Sequence, residues 1–399
     1  MIGAGPAGLA AAHCLSLKGC KITVFEAETE PGGMLTCAIP SYRLPREVIQ
    51  KEIEALIDEN VTVKCGMALG RDIDIDGLFE GGYEAVLIAL GAHKSKPLQI
   101  EDEDVEGVYP SIEFLKAFNL REQQLARGRV GVIGGGNSAI DAARMALRLN
   151  EVDEVTILYR RTRDEMPAFA EEIEAADQEG IRINTLVTPV RIVSDGGRLA
   201  GLECIRNELG EADDSGRRRP VPIEGTEHVV PLDTLIVAIG EDSGIDAITP
   251  AKSSRLEITA WNTIKVNSAT MQTNRPGVFA AGDVVRGPNT VVEAIADGKK
   301  AAAIIERFLK KEPLVQPATR NVPRVYVEPI FDEEALNAAR SETPRAPAEW
   351  RKRNFAEVEV ALSQSEARRE ALRCLRCDLE FTKKERERDG AAEKGRQTA

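Results

Sequence analysis

The segment Gly3-Ala4-Gly5-Pro6-Ala7-Gly8 leads straight into an alanine- and leucine-rich run that ends at Lys18-Gly19. Its spacing is that of a strand-to-helix turn built to hold phosphate. The first glycine permits the tight turn, the second lets a pyrophosphate approach the backbone, and the third lets helix and strand pack closely. The unpaired amides and partial positive charge of the helix start favour the anion. Next comes Lys21-Ile22-Thr23-Val24-Phe25-Glu26, an alternating apolar strand ending in a carboxylate, where an acid belongs if it is to hydrogen-bond a ribose. The two segments read as a dinucleotide site with Gly3, Gly5, Gly8 and Glu26 as its residues. Gly32-Gly33-Met34 then adds backbone that can lie against the cofactor. A doubly wound sheet calls for an apolar strand before Gly3, and only Met1 and Ile2 precede it. Three or four missing aliphatic side chains, at about 1.5–3 kcal/mol each, would remove about 5–12 kcal/mol, comparable with a domain's net stability. The expectation is a native chain that begins further upstream, or a separate polypeptide that supplies the strand.

A second motif lies at Val130-Gly131-Val132-Ile133-Gly134-Gly135-Gly136-Asn137-Ser138-Ala139, again an apolar strand, a glycine turn and an alanine-rich helix. Ala139 stands in place of the third glycine. Gly134, Gly136, Asn137, Ser138 and Ala139 are the candidate contacts. The strand Glu154 to Tyr159 that follows ends in Arg160-Arg161-Thr162-Arg163 and not in an acid. Guanidinium groups there pair with a ribose 2'-phosphate that a carboxylate would repel, which favours NADP(H) over NAD(H), with Arg160 and Arg161 as its readers. A solvated basic strand end is the plainer reading of the same residues. Two such motifs in one chain imply two nucleotide cofactors, and hence internal electron transfer.

A third segment, Thr273 to Asp283, is a short apolar strand ending in Gly282-Asp283, followed by Thr290-Val291-Val292 and a helical run. Together with both glycine motifs it resembles the two-dinucleotide-fold flavoprotein reductases. The resemblance implies FAD at the first motif, with Asp283 on the ribityl chain and the helix start at Thr290, Val291 and Val292 facing the flavin ring. Gly32-Gly33-Met34, Ile39 to Pro45, Gly134 to Asp141 and Tyr159 to Ala168 look like the glutamate synthase small-subunit family, relatives of the NADPH-dependent ferredoxin oxidoreductases. Over roughly residues 1 to 312 this implies an α/β chain of two Rossmann-like dinucleotide-binding domains. A discontinuous FAD domain (1–95 and 244–312) receives an inserted NAD(P)H domain (96–243), with crossovers at Ala85 to Ala89 and Thr234 to Ile239. Pro6, Ala7, Gly33, Met34, Arg43 and Gly282 join the implied FAD contacts, and Glu165 to Pro167 would shape the nicotinamide pocket. The implied activity is that of an NAD(P)H-dependent flavoprotein oxidoreductase: NADPH reduces FAD, and electrons leave through iron-sulfur clusters to a partner subunit or a ferredoxin-like protein.

Composition narrows the partners. The 399 residues carry 65 acidic against 52 basic side chains, a net charge of -13, which gives no electrostatic reason to bind nucleic acid or an anionic membrane. No apolar run reaches the length of about 18 residues that a membrane helix needs, and no charged, apolar leader opens the chain. These features read as a cytoplasmic protein without membrane insertion. His13, His93 and His228 show no metal-ligand spacing. The cysteines are scattered except for Cys374 and Cys377, and a disulfide reductase, which needs a reactive pair beside the flavin, is disfavoured because Cys37, Cys65 and Cys204 stand alone. Arg217 to Arg219 read as a solvated hairpin tip.

Residues 313–399 read as a C-terminal extension: a proline-interrupted extended arm, a helix from about Phe355 that carries the C-x-x-C, and a charged tail expected to be disordered. Two thiolates are half of the four ligands a site requires. By resemblance, Cys374 and Cys377 would ligate a 4Fe-4S cluster shared with a partner; a redox dithiol and two plain helical cysteines are the alternatives. A non-catalytic, flavin-holding subunit of a larger redox complex is the competing reading of the whole chain.

Overall fold

A computed structural model describes residues 1–213, 216–245, 255–317 and 339–373. The chain divides into two units, Met1–Gln316 with Pro347–Glu357, and Pro317–Ala346 with Val358–Ala399.

The first unit holds two parallel sheets, each centred on a glycine turn. Helix α1 (Pro6–Ser16) leaves the first turn with Pro6 at a position where the helix has no use for an amide donor, and its Ala7, Ala11, Ala12 and Leu15 are buried. Strand β1 (Ile22–Phe25) pairs in parallel with β2 (Val61–Lys64), and β3 (Val86–Ile88) with β15 (Val278–Ala280). Ile2 joins the two pairs by bridging Phe25 on one side and Ile88 on the other. Its N–H donates to the Leu87 carbonyl at 2.8 Å, and its carbonyl accepts from the Ala89 N–H at 2.8 Å. Met1 to Gly3 therefore occupy the mid-sheet position, with the Ile2 side chain 2% exposed. Helices α2 (Met34–Cys37), α3 (Arg46–Leu56) and α4 (Ile75–Glu80) fill the connections, and α8 (Asp283–Arg286) and α9 (Val291–Leu309) follow β15.

The second sheet runs β5 (Val108–Pro110), β13 (Thr234–Val237), β6 (Gly128–Ile133), β7 (Val152–Tyr159), β8 (Arg182–Thr185), all parallel. Helices α5 (Ser111–Arg121), α6 (Asn137–Leu147) and α7 (Ala170–Gln178) accompany it. Central β6 is a buried apolar run, as a strand covered on both faces must be. The chain leaves β6 for β7 on one side and returns to it through β13 on the other, so the second glycine turn falls at the topological switch point. Between β8 and β13 stands an antiparallel sheet of β9 (Val187–Asp195), β10 (Arg198–Ala212), β11 (Arg218–Pro222) and β12 (His228–Pro231). The connections between the two parallel sheets meet as a two-stranded antiparallel ribbon, β4 (Lys94–Ser95) with β14 (Glu241–Asp242).

The segment Pro347–Glu357 carries the short helix α10 (Ala348–Arg351) and packs within the first unit, where Phe355 stacks on Phe118 at 4.3 Å between ring centroids. The helix expected from about Phe355 begins instead at Gln364, because Phe355 is held by that ring contact and its carbonyl by the Ser41 hydroxyl at 3.3 Å. In the second unit, Arg345 bridges Glu359 in antiparallel fashion and α11 (Gln364–Leu372) is capped by Ser363, whose side chain accepts the Glu366 N–H. Cys374, Cys377 and the charged tail lie outside the described residues.

Candidate functional site

Both glycine turns open onto one cavity of about 920 Å³. The first motif contributes Gly3, Gly5, Pro6, Ala7, Glu26, Gly33, Met34 and Arg43 to its wall; the second contributes Gly136, Asn137 and Ser138; the returning segment contributes Gly282, Asp283, Thr290 and Val291. The two turns repeat one packing solution. Gly3 (φ 104°) and Gly134 (φ 140°) each lie on the carbonyl that ends the neighbouring crossover strand, where a Cβ would come within 2.3 Å of the Ala89 oxygen and 2.1 Å of the Ala238 oxygen. Gly8 is equally structural, with the Gly3 carbonyl 2.1 Å from its missing Cβ. Gly5 and Gly136 differ: a Cβ on Gly5 would meet nothing nearer than the Gly33 Cα at 3.8 Å, and one on Gly136 nothing within 4 Å. These two glycines leave backbone bare beside the cavity, where a diphosphate needs close approach.

Glu26 is buried and accepts the Ala4 N–H at 2.7 Å and the Glu28 N–H at 2.9 Å, so the carboxylate fixes the glycine turn and keeps lone pairs for ribose hydroxyls. Asp283 Oδ1 is buried without a hydrogen-bond partner among the described residues. Burial, with the carboxylates of Asp297, Glu241 and Glu293, raises the Asp283 carboxyl to about 6 against a backbone hydrogen bond from Asn289. Thr290 caps α9 by accepting the Glu293 N–H at 3.3 Å, which sets the positive end of a 19-residue helix at the cavity wall. The bare Gly5 backbone, the Glu26 lone pairs and the orphaned Asp283 oxygen fit the pyrophosphate, ribose and ribityl hydroxyls of FAD.

Several expected residues lie elsewhere. Gly134 and Ala139 pack beneath the second turn and Gly8 beneath the first, while Val292 is 75% exposed, one position round α9 from cavity-lining Val291. Arg161 requires a correction as a phosphate reader: it is 4% exposed, its Nε donating to the Arg218 carbonyl and its Nη2 to Asp213, both at 2.7 Å, so it fastens the β10–β11 hairpin to the end of β7. Arg160 is exposed, and Arg163 pairs with Asp177. Arg43 reaches the cavity with its Nη1 2.8 Å from both Asp141 oxygens on α6 and its Nε 3.3 Å from Glu172. Sequence reasoning missed Glu241 and His93 on the wall; His93 passed as an ordinary histidine, and burial pushes it down to about 4. A residue just past the glycine of each crossover strand was the available signal.

Two nucleotide folds facing one cavity define the class: the chain has the architecture of the NAD(P)H-dependent flavoprotein oxidoreductases. Residues 1–298 match the pyridine nucleotide-disulphide oxidoreductase family, and the chain belongs to it. It is 42% identical to the NADP(+)-dependent formate dehydrogenase subunit beta of Moorella thermoacetica, over 94% of this chain and 54% of that protein. The NADPH-Fe(3+) oxidoreductase subunit beta of Geobacter sulfurreducens is 38% identical over 94% of this chain and 61% of its own length. The chain thus spans little more than half the length of these relatives. The NADPH glutamate synthase small chain of Escherichia coli is 35% identical, over 78% of this chain and 68% of that one, in keeping with the family that the motifs resemble. Mycobacterium tuberculosis FprA in complex with NADPH shares the fold, with a TM-score of 0.65 at 20% identity over 78% of this chain and 84% of FprA. Among the described residues no pair of cysteines lines the cavity, and burial pushes the Cys37 and Cys204 thiols up to about 12, far from reactive thiolates. No helix among them is long and apolar enough to cross a membrane.

Proposed function

We propose that the chain moves electrons from NADPH, through bound FAD, to an iron-sulfur centre or partner subunit. The observation that carries this reading is the single cavity onto which both nucleotide turns and Asp283 open. The first amides of α6, at Asn137 and Ser138, have no intrahelical partner and would bind the NADPH diphosphate, with Arg160 on its 2'-phosphate. Gly5, Ala7, Glu26 and Asp283 would hold FAD, and the α9 start would favour negative charge near its ring. FAD supplies an acceptor for two electrons that can be released one at a time. The chain itself contributes distance, orientation and a walled cavity, and hydride movement between two rings so held requires no side-chain acid or base.

The domain assignment follows this reading: residues 1–95 and 244–312 for FAD, 96–243 for NADPH. The relatives' designations as beta or small subunits support a partner chain, with which Cys374 and Cys377 would share a 4Fe-4S cluster. Anaerobic titration of the FAD-loaded protein decides the matter. NADPH should bleach the flavin absorbance, and NADH should do so only at much higher concentration. Bands left intact by both would make the chain a flavin-holding scaffold.

A further inference from the structure

Glu241 is a cavity-wall carboxylate to which no role has yet fallen. It opens β14, directly after Gly240, on the ribbon where the two crossovers pair, with Ser95 opposite it. Its Oε1 is buried and has no hydrogen-bond partner among the described residues. Burial pushes its carboxyl up, while the Ser138 hydroxyl and the Lys96 ammonium draw it back. Ser138 belongs to the first turn of α6, on the side of the second glycine motif, whereas Asp283, close enough for Glu241 to raise its proton affinity, belongs to the flavin side. Glu241 therefore stands between the two half-sites. A buried acceptor without a donor is costly in a folded protein, and such groups are retained where a ligand completes them.

The end of a pyridine nucleotide that must reach from the α6 turn towards the flavin side is its nicotinamide end. There the carboxamide NH2 and the ribose hydroxyls are the hydrogen-bond donors. Resting on the reading that NADPH binds at α6, we propose that Glu241 is a specificity residue whose carboxyl oxygen accepts a hydrogen bond from the nicotinamide carboxamide. A carboxyl acceptor matches the amide NH2, leaves a methyl ketone unpaired and repels a second carboxylate. Sites built to hydrogen-bond a ligand N–H reject the analogue that lacks it, because the site's own buried polar group is then stranded.

The test measures equilibrium binding of oxidised nucleotides to the full-length, FAD-loaded, oxidised protein by calorimetry, with no turnover. The probes are NADP+, its 3-acetylpyridine analogue and its nicotinic acid analogue. Wild type should bind NADP+ about tenfold more tightly than the acetyl analogue, and the acid analogue least of all. Glu241→Gln keeps an acceptor and should keep the preference for NADP+ over the acetyl analogue, while relaxing rejection of the acid. Glu241→Ala should bring the NADP+ to acetyl ratio close to one, with flavin absorbance and melting temperature confirming the fold. A wild-type ratio near one overturns the proposal without recourse to any variant. Equal weakening of NADP+ and the acetyl analogue by Glu241→Ala also overturns it, by assigning the donor to a ribose hydroxyl. A wild-type protein that binds none of the three refutes the NADPH site itself, a distinguishable failure.

Discussion

Arg160 and Arg161 adjoin in sequence and part in structure. Arg160 is exposed at the strand end where a 2'-phosphate would be read, whereas Arg161 is buried on Asp213 and the Arg218 carbonyl. Arg160→Ala should weaken NADPH binding about tenfold to a hundredfold, the worth of one charge-assisted hydrogen bond of about 1.5–3 kcal/mol, and leave NADH unchanged. Arg161→Ala should instead lower the melting temperature, since it removes a buried donor from two partly buried acceptors. Equal losses for the two nucleotides in Arg160→Ala would refute the phosphate assignment. Asp283 supplies a pH signature. Its folded carboxyl is raised from 3.8 to about 6, chiefly by burial, so the unfolded chain ionises first as pH rises. Its contribution is full below about pH 4, declines across the interval, and above about pH 6 the folded state carries the full cost of the buried charge. In FAD-free protein Asp283→Asn should therefore be more stable than wild type at pH 8, by about 1 kcal/mol after allowance for partial exposure. The advantage should vanish at pH 4, and FAD affinity should fall at every pH. Denaturant midpoints at the two pH values measure it. A variant less stable than wild type at pH 8 would show that Asp283 is satisfied in the FAD-free fold.

At the scale of elements, the glycines sort into two kinds that the sequence pattern does not distinguish. Gly5 and Gly136 have room for a methyl group, and Gly8 and Gly298 have none, because a Cβ would lie 2.1 Å from the Gly3 carbonyl in one case and from the Ala7 carbonyl, where α9 crosses α1, in the other. Gly5→Ala should fold with an unchanged melting temperature yet lose FAD, and Gly136→Ala should likewise lose NADPH and keep FAD. Gly298→Ala should cost about 1–3 kcal/mol or more through forced separation of the two helices. Calorimetric melting alongside flavin content checks both outcomes, and a stable, FAD-replete Gly5→Ala would refute the pyrophosphate seat. Turns, helix starts and the Glu26 strand end were legible because their chemistry is local: a phosphate turn needs its glycines within six positions. The placements of Arg161 and Glu241 were not legible, since a hairpin some fifty residues downstream claims the first and the pairing of two crossovers positions the second.

At the scale of the molecule, the least legible feature is a buried charge cluster assembled from four separated stretches. Glu179 and Arg148 are fully buried, and Glu179 accepts Arg144 Nη2 and Arg148 Nη1 at 2.7 Å each, with Arg351 of α10 at 3.9 Å. Tyr42 lies beneath both arginines, their guanidinium carbons 4.8 and 4.0 Å from its ring centroid, and Arg43 beside it bridges Asp141. Segment 40–46, helices α6 and α7 and the Pro347–Glu357 segment thus share one set of charges, which no single stretch of sequence reveals. Burial opposes ionisation of Glu179, but hydrogen bonds from Arg148 and Arg144 prevail and hold its carboxyl below the ordinary range, so its contribution is present above about pH 4.5 and fades as pH falls. Glu179→Gln should destabilise by about 3–5 kcal/mol, because two buried guanidinium groups lose their common counter-charge. Against a total of about 5–15 kcal/mol, a loss of that size is global, and flavin release and loss of helical circular dichroism should coincide in urea. The exposed pair Arg198 and Glu106 is the control: Glu106→Gln should not move the urea midpoint measurably. A Glu179→Gln midpoint equal to that of the control would mean that water or backbone carbonyls already satisfy the arginines. The fold would then rest on its two parallel sheets without help from the charges that link them.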